Sequence, residues 1–212
     1  MTEYRTVAGH GRGEMEFRRS RFIADVTPVQ SEAEAEAWIE NIRKEHHKAA
    51  HHVFGFQLGT HHEVQRSSDD GEPSGTAGKP ILEILRYEDL HDTLVVVTRY
   101  FGGILLGTGG LIRAYTQTAV EGIRQAGIIT MHQVAILTVQ VPYENLGKMQ
   151  YLMRTMRIRC VHEQFGVDVQ VDMEIPTGIL ESFCKTLGEL LGREVASLGC
   201  PIIYVQKPSD RG

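Results

Sequence analysis

The chain is poor in cysteine: Cys160, Cys184 and Cys200 are odd in number, widely spaced and without a C-x-x-C pair, which excludes a disulfide framework and a four-cysteine zinc site. With no His–Cys signature beside them, they are expected as small core residues rather than nucleophiles. No apolar run approaches the roughly 20 residues that a membrane span needs. No basic segment followed by an apolar stretch opens the chain as a leader would. A cytoplasmic protein with no membrane partner is expected. Excess positive charge is missing too. The net charge is -5 over 212 residues, so no global field gathers nucleic acid, and any polyanion site has to be a local patch. The bulk of the chain is ordinary, 42% hydrophobic and 23% charged, which argues against disorder, collagen-like repeats and coiled coil, and suits one mid-sized domain or two small ones.

Met15 and Phe17, then Phe22, Ala24 and Val26, alternate with Glu16, Arg18, Ile23 and Asp25. This predicts a hairpin with one wet face, reversing near Arg19-Ser20-Arg21. Ser31 and Glu34 have capping-box spacing ahead of Ala35, Trp38 and Ile42 at helical intervals, so a helix is expected over Ser31 to Lys48. His52 to Leu58 reads as a strand, and Gly59 to Gly78 as a long polar loop. Leu94 to Thr98 is apolar at nearly every position, as in a central strand covered on both faces. A glycine-rich turn follows, then a helical pattern with Leu111 or Ile112, Tyr115, Ala119 and Ile123 inward, Arg113, Gln117 and Arg124 outward, and Gly127 as the stop.

After Gly127 the pattern becomes more compact. Alternation through Ala135, Leu137, Val139 and Val141 is followed by a helical stripe of Tyr143, Leu146, Met149, Met153 and Met156. A short strand at Ile158 to Gln164, strict alternation from Val167 to Ile175, a stripe of Leu180, Phe183, Leu187 and Leu190, and a last strand near Ile202 to Val205 complete a β-α-β-β-α-β order. That order is the ferredoxin-like split βαβ, which places a domain boundary near Thr130, with domains over 1–130 and 131–212.

Four constellations carry candidate chemistry. The loop Ser67 to Pro80 holds Asp69, Asp70, Glu72, several hydroxyls and Lys79. It could bind a cation, supply acid and base, or simply brace a turn. It is not a phosphate-binding P-loop, because Pro73 stands where the first glycine belongs and Pro80 replaces the magnesium-binding Ser/Thr. It is not an EF-hand either, since no glutamate closes it at the right spacing. Histidines occur as the pairs His46-His47, His51-His52 and His61-His62. His47 and His51 are four apart, but Lys48 takes the glutamate position of H-E-x-x-H, so a metalloprotease is out, and only a looser site pairing one of these histidines with Asp69 or Asp70 stays open. One of His51 and His52 should point inward and the other outward.

The third constellation runs from Arg99 to Arg113. Its glycines allow close backbone approach, and a helix N-terminus with Arg99, Arg113 and Lys79 suits an anion. The alternative is a tight turn with close helix packing. Ile112 stands where the third glycine of G-x-G-x-x-G would be, which disfavours a dinucleotide site. Lys148, Arg154, Arg157 and Arg159, with Glu144 the sole acid between Tyr143 and Cys160, form a small basic stretch that reads as an RNA contact or a solvated helix face.

Taken together, Ala50-His51-His52, the run Ser68-Asp69-Asp70-Gly71-Glu72-Pro73-Ser74-Gly75-Thr76-Ala77-Gly78-Lys79-Pro80, and Arg99-Tyr100-Phe101-Gly102-Gly103 through Leu106-Gly107-Thr108-Gly109-Gly110-Leu111-Ile112-Arg113-Ala114-Tyr115 resemble the signature of the IMPACT family. These motifs lie within residues 15–126; the remainder is similar to the C-terminal domain of the family's bacterial version in length and pattern. One departure is Val53-Phe54-Gly55-Phe56, where many members carry an aromatic or a cysteine after the paired histidines. The resemblance implies an α+β protein, with an N-terminal left-handed βαβ domain like domain IV of elongation factor G and a ferredoxin-like domain like its domain V. It also implies a link to translation. Eukaryotic relatives regulate translation under amino-acid starvation by competing for an activator of the kinase that phosphorylates initiation factor 2, a partner system that bacteria lack.

The expectation is a cytoplasmic, translation-related regulatory factor that binds RNA or a ribosomal component, with a protein partner as a further possibility. The anion-binding residues are expected to be His51, His52, Lys79, Arg99, Gly107, Thr108, Gly109, Gly110, Arg113, Lys148, Arg154 and Arg157. No cofactor and no metal site are expected, and the oligomeric state is left open. The alternatives are a hydrolase or phosphoryl-handling enzyme using Asp69, Asp70, Glu72 and His51, or a pure protein-interaction module.

Overall fold

A computed structural model describes residues 2–197 and 199–206, and the chain divides into two compact units, Glu3–Thr130 and one from Met131 onward. After β1 (Glu3–Val7), the expected hairpin forms from β2 (Gly11–Phe17) and β3 (Ser20–Pro28), which pair antiparallel with Phe17 opposite Ser20. The reversal is therefore the two-residue turn Arg18-Arg19, not Arg19-Ser20-Arg21, and both arginines sit at positive φ, 45° and 67°. Turns of this kind match the twist of the strands but favour Asn-Gly.

The sheet of the first unit has the order β2-β3-β6-β4-β5, with β4 at His51–Leu58, β5 at Val64–Ser68 and β6 at Thr93–Tyr100, every pair antiparallel. α1 (Glu32–Glu45) packs Ala35, Ile39 and Ile42 on one face, against Phe56, Leu94 and Val96. α2 (Gly78–Tyr87) and α3 (Gly107–Ala126) cover the other, meeting Phe22, Val53, Val95 and Val97. Successive strand residues point to opposite faces, so coverage on both sides accounts for the unbroken apolar run of β6. It also corrects the wet face expected of the hairpin. Ile23 and Asp25 are each 2% exposed, and Asp25 tolerates burial because its Oδ1 accepts from Arg12 Nε at 2.7 Å and pairs with His10 Nε2 at 3.0 Å.

Other expectations shift in detail. α1 is capped by Ser31, whose hydroxyl accepts from the Glu34 N–H at 3.2 Å, and ends at Glu45 rather than Lys48. The segment from Gly59 to Gly78 is not all loop, because β5 lies within it as an edge strand paired to β4 from Leu58↔Val64 to Phe54↔Ser68. Its exposed Arg66 and Ser67 give this edge strand the polarity of a loop, and that hides it. Sequence patterning did not single out α2, although Ile81, Leu82 and Leu85 are buried. In α3, Leu111 and not Ile112 faces inward, Ile112 being 42% exposed, and Gly127 at φ 72° closes the helix.

The second unit follows the expected order: β7 (Ile128–Val141), α4 (Tyr143–Thr155), β8 (Arg159–Phe165), β9 (Val169–Pro176), α5 (Leu180–Leu191) and β10 (Ile202–Gln206). Its strands lie in the order β10-β7-β9-β8, all antiparallel, the arrangement of a ferredoxin-like fold. Leu137, Val139, Val141, Val169, Val171 and Met173 face Met149, Met153, Phe183 and Leu187 of the two helices. The opposite face is polar, with Thr138 Oγ1 donating to Asp172 Oδ1 at 2.7 Å. Val167 and Tyr143 are exposed, outside the stripes expected to hold them. Cys184 joins the core as expected, but Cys160 is exposed on β8, an edge strand. Partial shielding of the sulfur from water and the nearby Glu163 carboxylate push its thiol above the ordinary value. No helix among the described residues is long and apolar enough to cross a membrane.

Candidate functional site

Register brings the three sequence motifs together. Phe22 of β3, Arg99 of β6 and His51 of β4 stand directly opposite one another across three neighbouring strands. They share the face covered by α2 and α3, where Tyr115 of α3 and the loop between β5 and α2 meet them. Glu72 from that loop is the hub. Its Oε1 accepts from Arg99 Nη1 at 2.6 Å and from the Tyr115 hydroxyl at 2.8 Å, with His51 Nε2 at 3.8 Å. Arg99 and Glu72 side chains are 6% and 4% exposed, and the guanidinium carbon lies 5.4 Å from the ring centres of both Phe22 and Phe101. Burial first, then the Glu72 charge and its hydrogen bond, push the Tyr115 phenol far above its ordinary value, so it stays a donor.

The loop above this pair is held by its own carboxylates. Asp69 accepts backbone N–H groups of Gly75 (2.8 Å), Ala77 (3.1 Å) and Gly78 (2.8 Å). Burial alone would raise its carboxyl, but these three hydrogen bonds outweigh that and hold it below the ordinary value. Asp70 accepts from the His52 N–H at 2.6 Å and from Arg43 Nη2 at 3.3 Å, and its carbonyl accepts from His51 Nδ1 at 2.8 Å. His52 sits on the α1 face, its Nε2 donating to the His46 carbonyl at 3.2 Å. Burial, more than offsetting that bond, lowers its pKa and keeps it neutral. Neither of the paired histidines points out into water, contrary to the inward–outward expectation: their side chains are 24% and 11% exposed.

A single pocket gathering Lys79, Arg99 and Arg113 does not form. Arg99 is spent on Glu72, Lys79 pairs at the surface with Glu83 at 3.9 Å, and Arg113 is exposed. Two residues of helix turn the side chain by about 200°, so Arg113 and the buried Tyr115 look to opposite sides of α3. The carboxylates offered for acid–base work are the braces of the loop. Lys148, Arg154 and Arg157 are exposed on and after α4 and form no ion pair among the described residues.

What stays open is the surface around the start of α3. Leu106 caps the helix without a side-chain hydrogen bond, leaving the first-turn amides bare. Gly103 and Gly107 have positive φ, but Gly109 does not, and a Cβ there would meet nothing within 4 Å. Since glycine inside a helix costs about 1 kcal/mol relative to alanine, neither packing nor conformation accounts for Gly109. The turn Arg18-Arg19 borders this surface: Arg18 Nη1 donates to the Leu105 carbonyl at 3.4 Å, and Ser20 Oγ accepts from the Gly102 N–H at 3.1 Å. Sequence reading missed these two arginines. The signal available was their place as the two-residue link between alternating strands, where residues other than arginine are favoured. A Cβ on Gly102 would lie 2.0 Å from the Arg19 carbonyl oxygen. Gly102→Ala is therefore expected to cost about 2 kcal/mol, as overpacking against unyielding backbone does, read by chemical unfolding followed at Trp38, the only tryptophan.

These features define a two-unit α+β protein whose N-terminal unit holds an Arg–Glu pair under a carboxylate-braced loop. Residues 18–123 match the Impact N-terminal domain, and residues 139–192 match a domain of unknown function, DUF1949. The chain is 37% identical over 204 residues to IMPACT family member YvyE of Bacillus subtilis (strain 168), covering 96% of this chain and 94% of that one. It is 32% identical over 176 residues to IMPACT family member YigZ of Escherichia coli (strain K12), covering 82% and 86%. A crystal structure of a hypothetical protein superposes with a TM-score of 0.63 at 28% identity, covering 98% of this chain and 99% of that one. The chain belongs to the IMPACT family.

Proposed function

We propose that the chain is a non-enzymatic, translation-related factor that binds the phosphate backbone of structured RNA through the surface at the start of α3. The observation that carries this reading is the turn Arg18-Arg19. Two arginines occupy left-handed backbone, which costs each about 1 kcal/mol, beside a helix N-terminus whose amides have no capping side chain. Strain kept at an exposed turn points to a use for the side chains it presents. Guanidinium groups and first-turn amides of Gly107, Thr108 and Gly109 together suit phosphate oxygens. Phe101, 50% exposed, offers a ring for a base to stack on. Gly110 and Arg113 continue this surface along the helix. Lys148, Arg154 and Arg157 are a separate basic stretch on the second unit, read as a second contact with the RNA backbone and not as part of this surface. The translational setting is what family membership adds, and the buried His51–Glu72–Arg99 cluster serves as the scaffold of the surface.

The test separates structure from binding by giving the turn its favoured residues. The double substitution Arg18→Asn, Arg19→Gly is expected to raise stability by about 1 kcal/mol while weakening binding of a labelled RNA hairpin about tenfold. Arg113→Ala should weaken it uniformly across RNA sequences. Each lost phosphate contact should lower the slope of log affinity against log salt by about 0.7 to 0.9. Fluorescence anisotropy over a salt series reads both. Binding that is absent, insensitive to salt or untouched by the double substitution would refute the reading.

A further inference from the structure

A second cluster lies at the other end of the β4 strand, in the turn before β5 and the loop after α2, and the RNA-binding proposal makes no use of it. His62, Asp89 and His91 bring one ligand atom each to within 4.8 Å of one another. We infer that these three side chains form a site for a divalent transition-metal ion, with zinc as its natural probe.

The distances support it. Asp89 Oδ1 is 3.2 Å from His62 Nε2 and 3.3 Å from His91 Nε2. Bonds of 2.0–2.1 Å in a tetrahedron place neighbouring ligand atoms about 3.3 Å apart, so two edges of the polyhedron stand at their bound length. The tautomer of His91 is set as well. Its Nδ1 lies 3.0 Å from the Gly59 carbonyl, which can only accept, so that nitrogen carries the proton, and in the neutral ring Nε2 presents its lone pair. A second-shell carbonyl orients metal-binding histidines in this way. The His91 side chain is 0% exposed, and its Nε2 has no hydrogen-bond partner. A buried imidazole nitrogen without a donor is costly, and a cation at this point removes that cost. The two rings stack with centroids 4.0 Å apart at 17°.

The frame is rigid on both sides. Gly59 N–H donates to Asp92 Oδ1 at 2.8 Å, and Gln57 Nε2 donates to the Leu90 carbonyl at 2.6 Å, tying the two loops together. Two imidazoles and one carboxylate are a donor set for zinc, cobalt or nickel rather than for magnesium or calcium. Three protein ligands leave a fourth position open to water or to an outside ligand.

Isothermal titration of zinc chloride into the chelator-treated full chain should show one site. His62→Ala and Asp89→Asn, whose side chains are 26% and 60% exposed, should each weaken it at least tenfold without unfolding the protein. The exposed His47→Ala should leave it unchanged. Cobalt bound to the unaltered chain should give the intense visible bands of tetrahedral coordination. A chain that binds no zinc, binding that survives both substitutions, or an octahedral cobalt spectrum overturns the assignment.

Discussion

Glu72→Gln is expected to destabilise the first unit by about 3–5 kcal/mol, because it leaves the Arg99 guanidinium buried and without its counter-charge. The pair sits at 2.6 Å with side chains 6% and 4% exposed, and Arg99 Nε already lacks a hydrogen-bond partner. Water therefore has little access to replace the lost carboxylate. The interaction is a matching of charges, so removing both should hurt less than removing one. The double substitution Glu72→Gln, Arg99→Met is expected to recover part of the loss, since it no longer leaves an uncompensated charge buried. Trp38 lies in the first unit, its ring stacked on His10 at 5.5 Å between centroids. Its fluorescence during urea unfolding reports that unit alone, which matters because a two-unit chain need not unfold in one step. Equal losses for the single and double substitutions would show that the pair acts through packing and not through charge.

Asp69→Ala is the second large effect, about 3 kcal/mol, because three backbone donors lose one charged acceptor together and hydrogen bonds to charged groups are the stronger kind. The change also has a pH signature. The folded carboxyl is held below its ordinary value of 3.8, so on acidification the unfolded chain takes up this proton first. The contribution is thus full above that value and is lost as pH falls through the folded pKa. Unfolding of the parent chain and Asp69→Ala, measured at neutral pH and again near pH 3, should show the gap between them narrowing in acid. A gap that is constant with pH would mean that the carboxylate charge does not hold the loop.

Much of the architecture is legible in local pattern. The alternation from Val169 to Ile175 yields β9, and the stripe through Phe183 and Leu187 yields α5, because both signals depend only on which side of one element meets the core. The unbroken Leu94–Val97 run likewise announces a strand covered on both faces. β5 and α2 were less legible. An edge strand such as Val64–Ser68 carries the polar residues of a loop, and α2 is short and opens with Gly78 and Pro80. The wet face expected around Ile23 and Asp25 failed for a related reason: alternation says which residues share a face, and only the placement of α1 says that both faces are covered.

The candidate residues divide along the same line. That Glu72, Arg99, His51 and Tyr115 matter could be read from their motifs. That Glu72 neutralises Arg99, leaving the exposed cations at Arg18, Arg19 and Arg113, could not. Residues 27 and 43 positions apart meet at Glu72 Oε1, and His62 meets His91 through a comparable separation. The identity and order of the elements are a local property of the chain, set by side-chain periodicity against a core. Which charges face each other and which face water is decided by strand register and helix placement, since electrostatic pairing acts through space and is blind to distance along the sequence.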